Sequence, residues 1–267
     1  MMRWIVPRAG LVLLILLAGC STVPRSFHPM EPLSPQGFSQ ETFDGLLLAQ
    51  VMDGVVNYPG IAADSRLEAY LRELDRIDPN SLPTREARLA FWINAYNAFA
   101  IKGILDGYSP GTLAGRYQYF LGRDYLVGGE KITLYDLERN LLIPDFRDPR
   151  MHFAIVCASR SCPKLRSEAY HASRLDAQLD ESARVFINDP ARNRFDRENR
   201  VASLSMIFKW FEKDFAAQGG SVLGYVARYV TDQGLARDLE SSPYTIEFLE
   251  YDWRLNGPAP KTMHSAE

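Results

Sequence analysis

The sequence predicts an α+β fold, a predominantly helical single domain with a small β-sheet. Three observations carry that expectation. Apolar residues recur at helical spacing over most of residues 39–230, one stretch near residues 83–106 is apolar on almost every face, and only a few short segments alternate or cluster as strands do. Taken in order, Ser39 can cap a helix carrying Phe43, Leu46, Leu47 and Val51, closed by Asn57-Tyr58-Pro59-Gly60. A second helix from Ser65 places Leu67, Leu71, Leu74 and Ile77 on one side and stops at Asp78-Pro79. The third, from Pro83 to Asp106, is the expected central helix, with Trp92 and Tyr96 as core filling. Gly128-Gly129 between Tyr125–Val127 and Lys131–Thr133 reads as a hairpin turn. A short helix over Leu134–Leu142 should end before Pro144. His152–Cys157 reads as a buried strand, followed by helices over 173–188, 205–216 and 221–230 and a last strand at 245–251.

The N-terminus has a different character. Arg3 and Arg8, the apolar run Leu11–Leu17 and then Ala18-Gly19-Cys20 form a charged, an apolar and a small-residue region, the pattern of an export signal. The run is too short for a membrane-spanning helix, which needs roughly 20 residues. Leu17-Ala18-Gly19-Cys20 resembles the lipobox of bacterial lipoproteins, which implies cleavage before Cys20 and lipid attachment on its thiol. More than one acyl chain on a residue gives stable anchoring. By the sorting rule of Gram-negative lipoproteins, Ser21 after the cysteine implies the outer membrane, facing the periplasm. Domain organisation then follows as a signal peptide over 1–19, a lipidated N-terminus and Pro-rich tether over 20–40, one globular domain over 41–256 and a tail over 257–267.

The formal net charge is −3, and loss of Arg3 and Arg8 makes the mature chain more acidic. Basic residues are interspersed with acidic ones, which excludes nucleic acid as the expected partner, since phosphate binding needs a basic face. Of the four histidines, His28 and His264 lie in tails, and the mature chain has no second cysteine pair, so neither a dedicated metal site nor a cofactor is expected. No Gly-x-Ser-x-Gly elbow, phosphate-binding glycine loop or His-Glu-x-x-His helix occurs.

Four phrases occur together: Phe91–Ala98, Asp148–Ala154, Cys157-Ala158-Ser159-Arg160-Ser161-Cys162-Pro163 and Tyr251–Asn256. In that order, across residues 40–256, they resemble the bacterial lipoprotein branch of domain-of-unknown-function family 547. The resemblance implies a domain without naming a reaction.

With Cys20 consumed by lipid, Cys157 and Cys162 remain as a pair in an oxidising compartment. They can close a six-residue loop worth about 2 kcal/mol by chain entropy. Alternatively one is a nucleophile, which needs a base, a cation or a helix N-terminus to hold a thiolate, or both are inert. His152 is the candidate base and Glu138 the candidate carboxylate behind it. In a regular strand, His152 and Cys157 would point to opposite faces about 16 Å apart, so Cys162 is the better partner. Ser159 and Arg160 could offer the loop backbone and a cation to an oxyanion. Asn94 and Asn97 share a helix face within an apolar stretch, where buried amides either hold backbone or line a pocket. Two functions stand: a binding or scaffolding lipoprotein of the cell envelope, and a thiol-dependent hydrolase or acyl transferase of papain-like or transglutaminase-like architecture.

Overall fold

The computed structural model describes residues 31–261. The expected signal peptide, the lipid attachment at Cys20, the first part of the tether and the end of the C-terminal tail lie outside the described residues. From Glu31 onward the described chain forms one compact unit. Helices dominate, with two two-stranded hairpins and one three-stranded sheet among the described residues, so the fold is the α+β class expected.

Helix α1 (Glu41–Gln50) buries Phe43, Leu46 and Leu47. It stops at Val51, where a minimal hairpin of β1 (Val51–Met52) and β2 (Val55–Val56) turns on Asp53 and Gly54, both at positive φ. A Cβ at Gly54 would lie 2.7 Å from the Lys164 side chain, so this turn needs glycine. Asn57-Tyr58-Pro59-Gly60 begins a helix where the sequence was expected to end one. Asn57 caps α2 (Tyr58–Ala62) by accepting the Gly60 N–H. An asparagine followed by proline in the first turn is a start signal, and it outweighs the breaker reading of Pro-Gly.

Helix α3 (Ser65–Arg76) is amphipathic, burying Leu67, Tyr70 and Leu74. Helix α4 (Arg85–Leu105) is the expected central helix, entered through a Thr84 cap one residue beyond Pro83. It is buried on nearly every face from Leu89 to Ile104. Helix α5 (Leu113–Phe120) follows, and the hairpin of β3 (Tyr125–Val127) and β4 (Glu130–Ile132) turns on Gly128-Gly129 as expected.

Two expectations fail in the next stretch. The helix from Leu134 does not end before Pro144: a π-helical turn over Asp136–Leu142 runs straight into α6 (Ile143–Phe146). Ile143 donates to the Glu138 carbonyl five residues back. In a tight α-helix the Pro144 ring would clash with the carbonyl four residues before it, and the wider turn relieves that conflict. His152–Cys157 is not a strand either. Asp148 caps a 3₁₀ turn over Pro149–Phe153, and residues 154–158 run irregularly to Ala158, whose φ is +64°. An apolar run reports burial, and here no neighbouring strand supplies a ladder.

Helix α7 (Leu175–Ile187) is preceded by a 3₁₀ turn. Beyond it, β5 (Arg194–Asp196), β6 (Val201–Leu204) and β7 (Thr245–Phe248) form the three-stranded sheet, antiparallel then parallel in the order β5-β6-β7. The helices expected over 205–216 and 221–230 are α8 (Met206–Trp210), α9 (Glu212–Gly219) and α10 (Val222–Ala227). Helix α11 (Gln233–Ser241), not anticipated, completes the crossover to β7.

Two apolar clusters result. One gathers α1 to α6 around α4; the other gathers β6 and α8 to α11. Helix α7 serves both, giving Leu175 and Leu179 to the first and Ala183, Phe186 and Ile187 to the second. The segment after Pro149 is shared in the same way: Phe153 joins the second cluster and Ala154, Ile155 and Val156 the first. Phe153 packs on Phe186, Phe208 and Phe215 at ring separations of 4.9–5.9 Å. Phe153→Ala should therefore cost about 3–5 kcal/mol of unfolding free energy in urea titration. A cost below about 1 kcal/mol would show that the second cluster does not depend on this ring.

Candidate functional site

Cys157 and Cys162 are joined in a disulfide, Sγ to Sγ 2.00 Å and Cα to Cα 6.1 Å. The loop between them is tied down by the C-terminal phrase. Arg160 N–H donates to the Arg254 carbonyl, Ser161 N–H to the Asp252 carbonyl and Asn256 N–H to the Ala158 carbonyl. The Tyr251 hydroxyl lies 3.2 Å from Cys162 Sγ and 3.3 Å from both Cys157 Sγ and Ser159 Oγ. From behind, Arg192 donates to the Cys162 and Arg160 carbonyls. The N–H groups of Arg160, Ser161 and Cys162 are thus already given to protein carbonyls, and they do not form the oxyanion cradle that the loop sequence suggested. Ser159 is buried, and the Arg160 side chain leans on the Leu255 carbonyl beside a second groove, which Lys164 and Arg192 also line.

On the other side of the disulfide is an open cleft of about 480 Å³. Cys157, Cys162, His152 and Glu138 all contribute to it. Tyr96 of α4, Leu113, Tyr117 and Phe120 of α5, Leu121 just after it, and Trp210, Phe211, Tyr251 and Trp253 make its walls mostly apolar. Trp210, Tyr251 and Trp253 pack mutually, with ring centroids 4.5–5.8 Å apart. Two guanidinium groups cover aromatic faces at its edge: Arg116 over Trp253 at 4.6 Å and Arg139 over Phe211 at 4.4 Å.

Burial sets the protonation of the polar groups. Desolvation raises the Glu138 carboxyl above its usual range, only partly offset by Arg139 and by the Tyr96 hydroxyl that donates to it at 3.3 Å. His152 has no exposed side-chain surface and stacks on Phe211 at 3.8 Å. Burial lowers its pKa, and Asp214, 2.9 Å from Nε2, only partly offsets this. The neutral tautomer that satisfies Asp214 carries its proton on Nε2, leaving Nδ1 as a buried lone pair without a protein partner. The carboxylate bonded to His152 is therefore Asp214 of α9, whereas Glu138 pairs with Tyr96 and Arg139 across the same cleft. Sequence reasoning missed Asp214, because Glu212-Lys213-Asp214 reads as a solvated first turn.

Asn94 and Asn97 each hold a stretch of irregular backbone by both ends of the amide. Asn97 donates to the Ala154 carbonyl at 3.0 Å and accepts the Val156 N–H at 2.9 Å. Asn94 does the same with the carbonyl and N–H of Tyr170. Neither is among the residues lining the cleft. No group of three or more His, Cys, Asp or Glu among the described residues is placed to hold a metal ion.

Residues 79–187 match the family model described as "Protein of unknown function, DUF547", so this part of the chain belongs to that family. Three of the four signature phrases, through Pro163, fall inside the match, and Tyr251–Asn256 falls outside it. No curated protein and no solved structure matches the chain.

Two outcomes follow. Asn97→Ala strands one buried acceptor and one buried donor and should lower stability by about 2–4 kcal/mol in urea titration; a change under 0.5 kcal/mol would show that the clamp contributes nothing. His152, its pKa depressed in the fold, takes up a proton more readily when unfolded, so its contribution is complete above the unfolded value near 6.5 and is lost as pH falls through that value toward the folded one. The stability difference between wild type and His152→Gln should shrink by at most about 1.4 kcal/mol per pH unit below pH 6.5. A constant difference from pH 7.5 to 5.5 would contradict a buried neutral imidazole.

Proposed function

We propose that this chain, which carries a DUF547 domain over residues 79–187, is a cell-envelope lipoprotein that binds a small apolar or amphipathic molecule in the cleft above the Cys157–Cys162 disulfide. The observation that carries the binding role is the cleft itself. Its size lies within the 300–1,000 Å³ usual for small-molecule sites, and mostly apolar walls surround a few convergent polar groups. The disulfide supports this reading over catalysis, since joined sulfurs offer no thiolate and the N–H groups of Arg160, Ser161 and Cys162 are already given to carbonyls. What supports the membrane address is the run from Arg3 to Cys20. None of the helices among the described residues is long and apolar enough to cross a membrane, so lipid on Cys20 would supply the attachment. Cys20→Ala should abolish incorporation of labelled palmitate into the protein; unchanged incorporation would contradict that attachment.

Thiol chemistry remains the second reading because of one observation. His152, held by Asp214 and with Nδ1 unpartnered, contributes to the same cleft as both sulfurs. The two readings separate on alkylation after reduction by a dithiol. Binding alone predicts no accessible thiol before reduction, and afterwards labelling with an ordinary apparent pKa near 8.5 that His152→Gln leaves unchanged. Labelling with an apparent pKa well below 8, lost in His152→Gln, would favour the enzyme.

A further inference from the structure

We infer that the cleft selects a single-tailed amphiphile with an anionic head such as a carboxylate, the alkyl tail lying along α5 and the head meeting Arg116. This rests on reading the cleft as a binding site and adds the chemistry of its occupant. Leu113 and Tyr117 of α5 and Leu121 at its C-terminal cap stand four residues apart, forming one stripe that spans roughly 12 Å. They are 78%, 64% and 44% exposed and all line the cleft. Tyr135 and Trp210, also exposed, extend the same apolar surface. Large apolar side chains gathered on one surface, next to a cleft, mark a binding site rather than ordinary exterior.

The charge at that surface fixes the sign of the head group. Arg116 has no ion pair among the described residues; its guanidinium lies over Trp253, which orients the planar fork without neutralising it. Arg139, over Phe211, has Glu138 as its carboxylate neighbour, with Nε to Oε1 at 3.4 Å. Desolvation works against ionisation of that carboxyl, so Arg139 is incompletely compensated as well. A cationic head would meet two guanidinium groups, and a neutral one would leave Arg116 unused. A carboxylate can accept two parallel N–H bonds from Arg116 while its tail replaces water over the Leu113 stripe.

The test uses the full chain carrying Cys20→Ala, which leaves residues 31–261 untouched. Tryptophan fluorescence is titrated with decanoate, decanol and decyltrimethylammonium, each below its own aggregation concentration. Decanoate should bind at least tenfold more tightly than decanol, and the ammonium compound most weakly. Arg116→Gln should bring the decanoate and decanol affinities together, while Arg116→Lys should retain part of the preference. Equal affinity for decanoate and decanol, or a preference untouched by Arg116→Gln, overturns the assigned head group and leaves the binding role standing. Failure of all three probes to bind overturns both. Self-association of the protein that decanoate cannot reverse would also overturn the inference, because a second copy would then fill the cleft.

Discussion

Asn97 reaches from the centre of a helix with almost no access to water and takes hold of two backbone groups that have no other order of their own. It binds the Ala154 carbonyl and the Val156 N–H, in a stretch with neither helical nor strand pairing. Irregular backbone is seldom buried, because each unpaired N–H or carbonyl inside an apolar core costs as much as a lost hydrogen bond. Here one amide at the core matches a donor and an acceptor simultaneously. Asn94, three residues earlier on the same face, does the same for Tyr170. The long buried helix is thus more than core volume: it carries the partners that allow residues 154–170 to run through the apolar interior without forming a helix or a strand.

That route places the chemistry. His152 leaves the 3₁₀ turn on one side of the Asn97 clamp, and Cys157 follows it on the other. The disulfide closes the loop, Arg192 holds its carbonyls, and the segment around Tyr251 seals it from the C-terminal side. A cleft floor built this way is held from α4, from the chain after α7 and from the C-terminal phrase. Such a floor favours a preformed binding surface, because little ordering remains to be done when a ligand arrives. The buried imidazole fits the same picture: Asp214 fixes one ring nitrogen and Phe211 one face.

What could be read beforehand followed local chemistry. The central helix announced itself by apolar residues on every face and the hairpin by Gly128-Gly129, while the spacing of Cys157 and Cys162 offered the disulfide as one of several alternatives. Wherever the outcome depended on tertiary partners, sequence patterning was silent or misleading. The run 152–157 was correctly buried and wrongly a strand, since hydrophobicity reports environment and not whether a ladder partner exists. The π turn around Glu138 required knowing how Pro144 would be accommodated. Asp214 and Arg192 lie far along the chain from the groups they serve and sit in ordinary charged turns. The aromatic wall was scattered over Tyr117, Trp210 and Trp253, with no spacing to connect them.

The order of residues 154–162 depends on an amide in α4, and the cleft depends on that order. Amide hydrogen exchange in wild type and Asn97→Ala measures this directly. Protection of Val156 and of the disulfide loop should fall at least tenfold further than that of the amides of α10 and of the β5-β6-β7 sheet, in the second cluster. Unchanged protection across 154–162, or a uniform loss through the whole domain, would contradict the claim that Asn97 specifically orders the floor of the site.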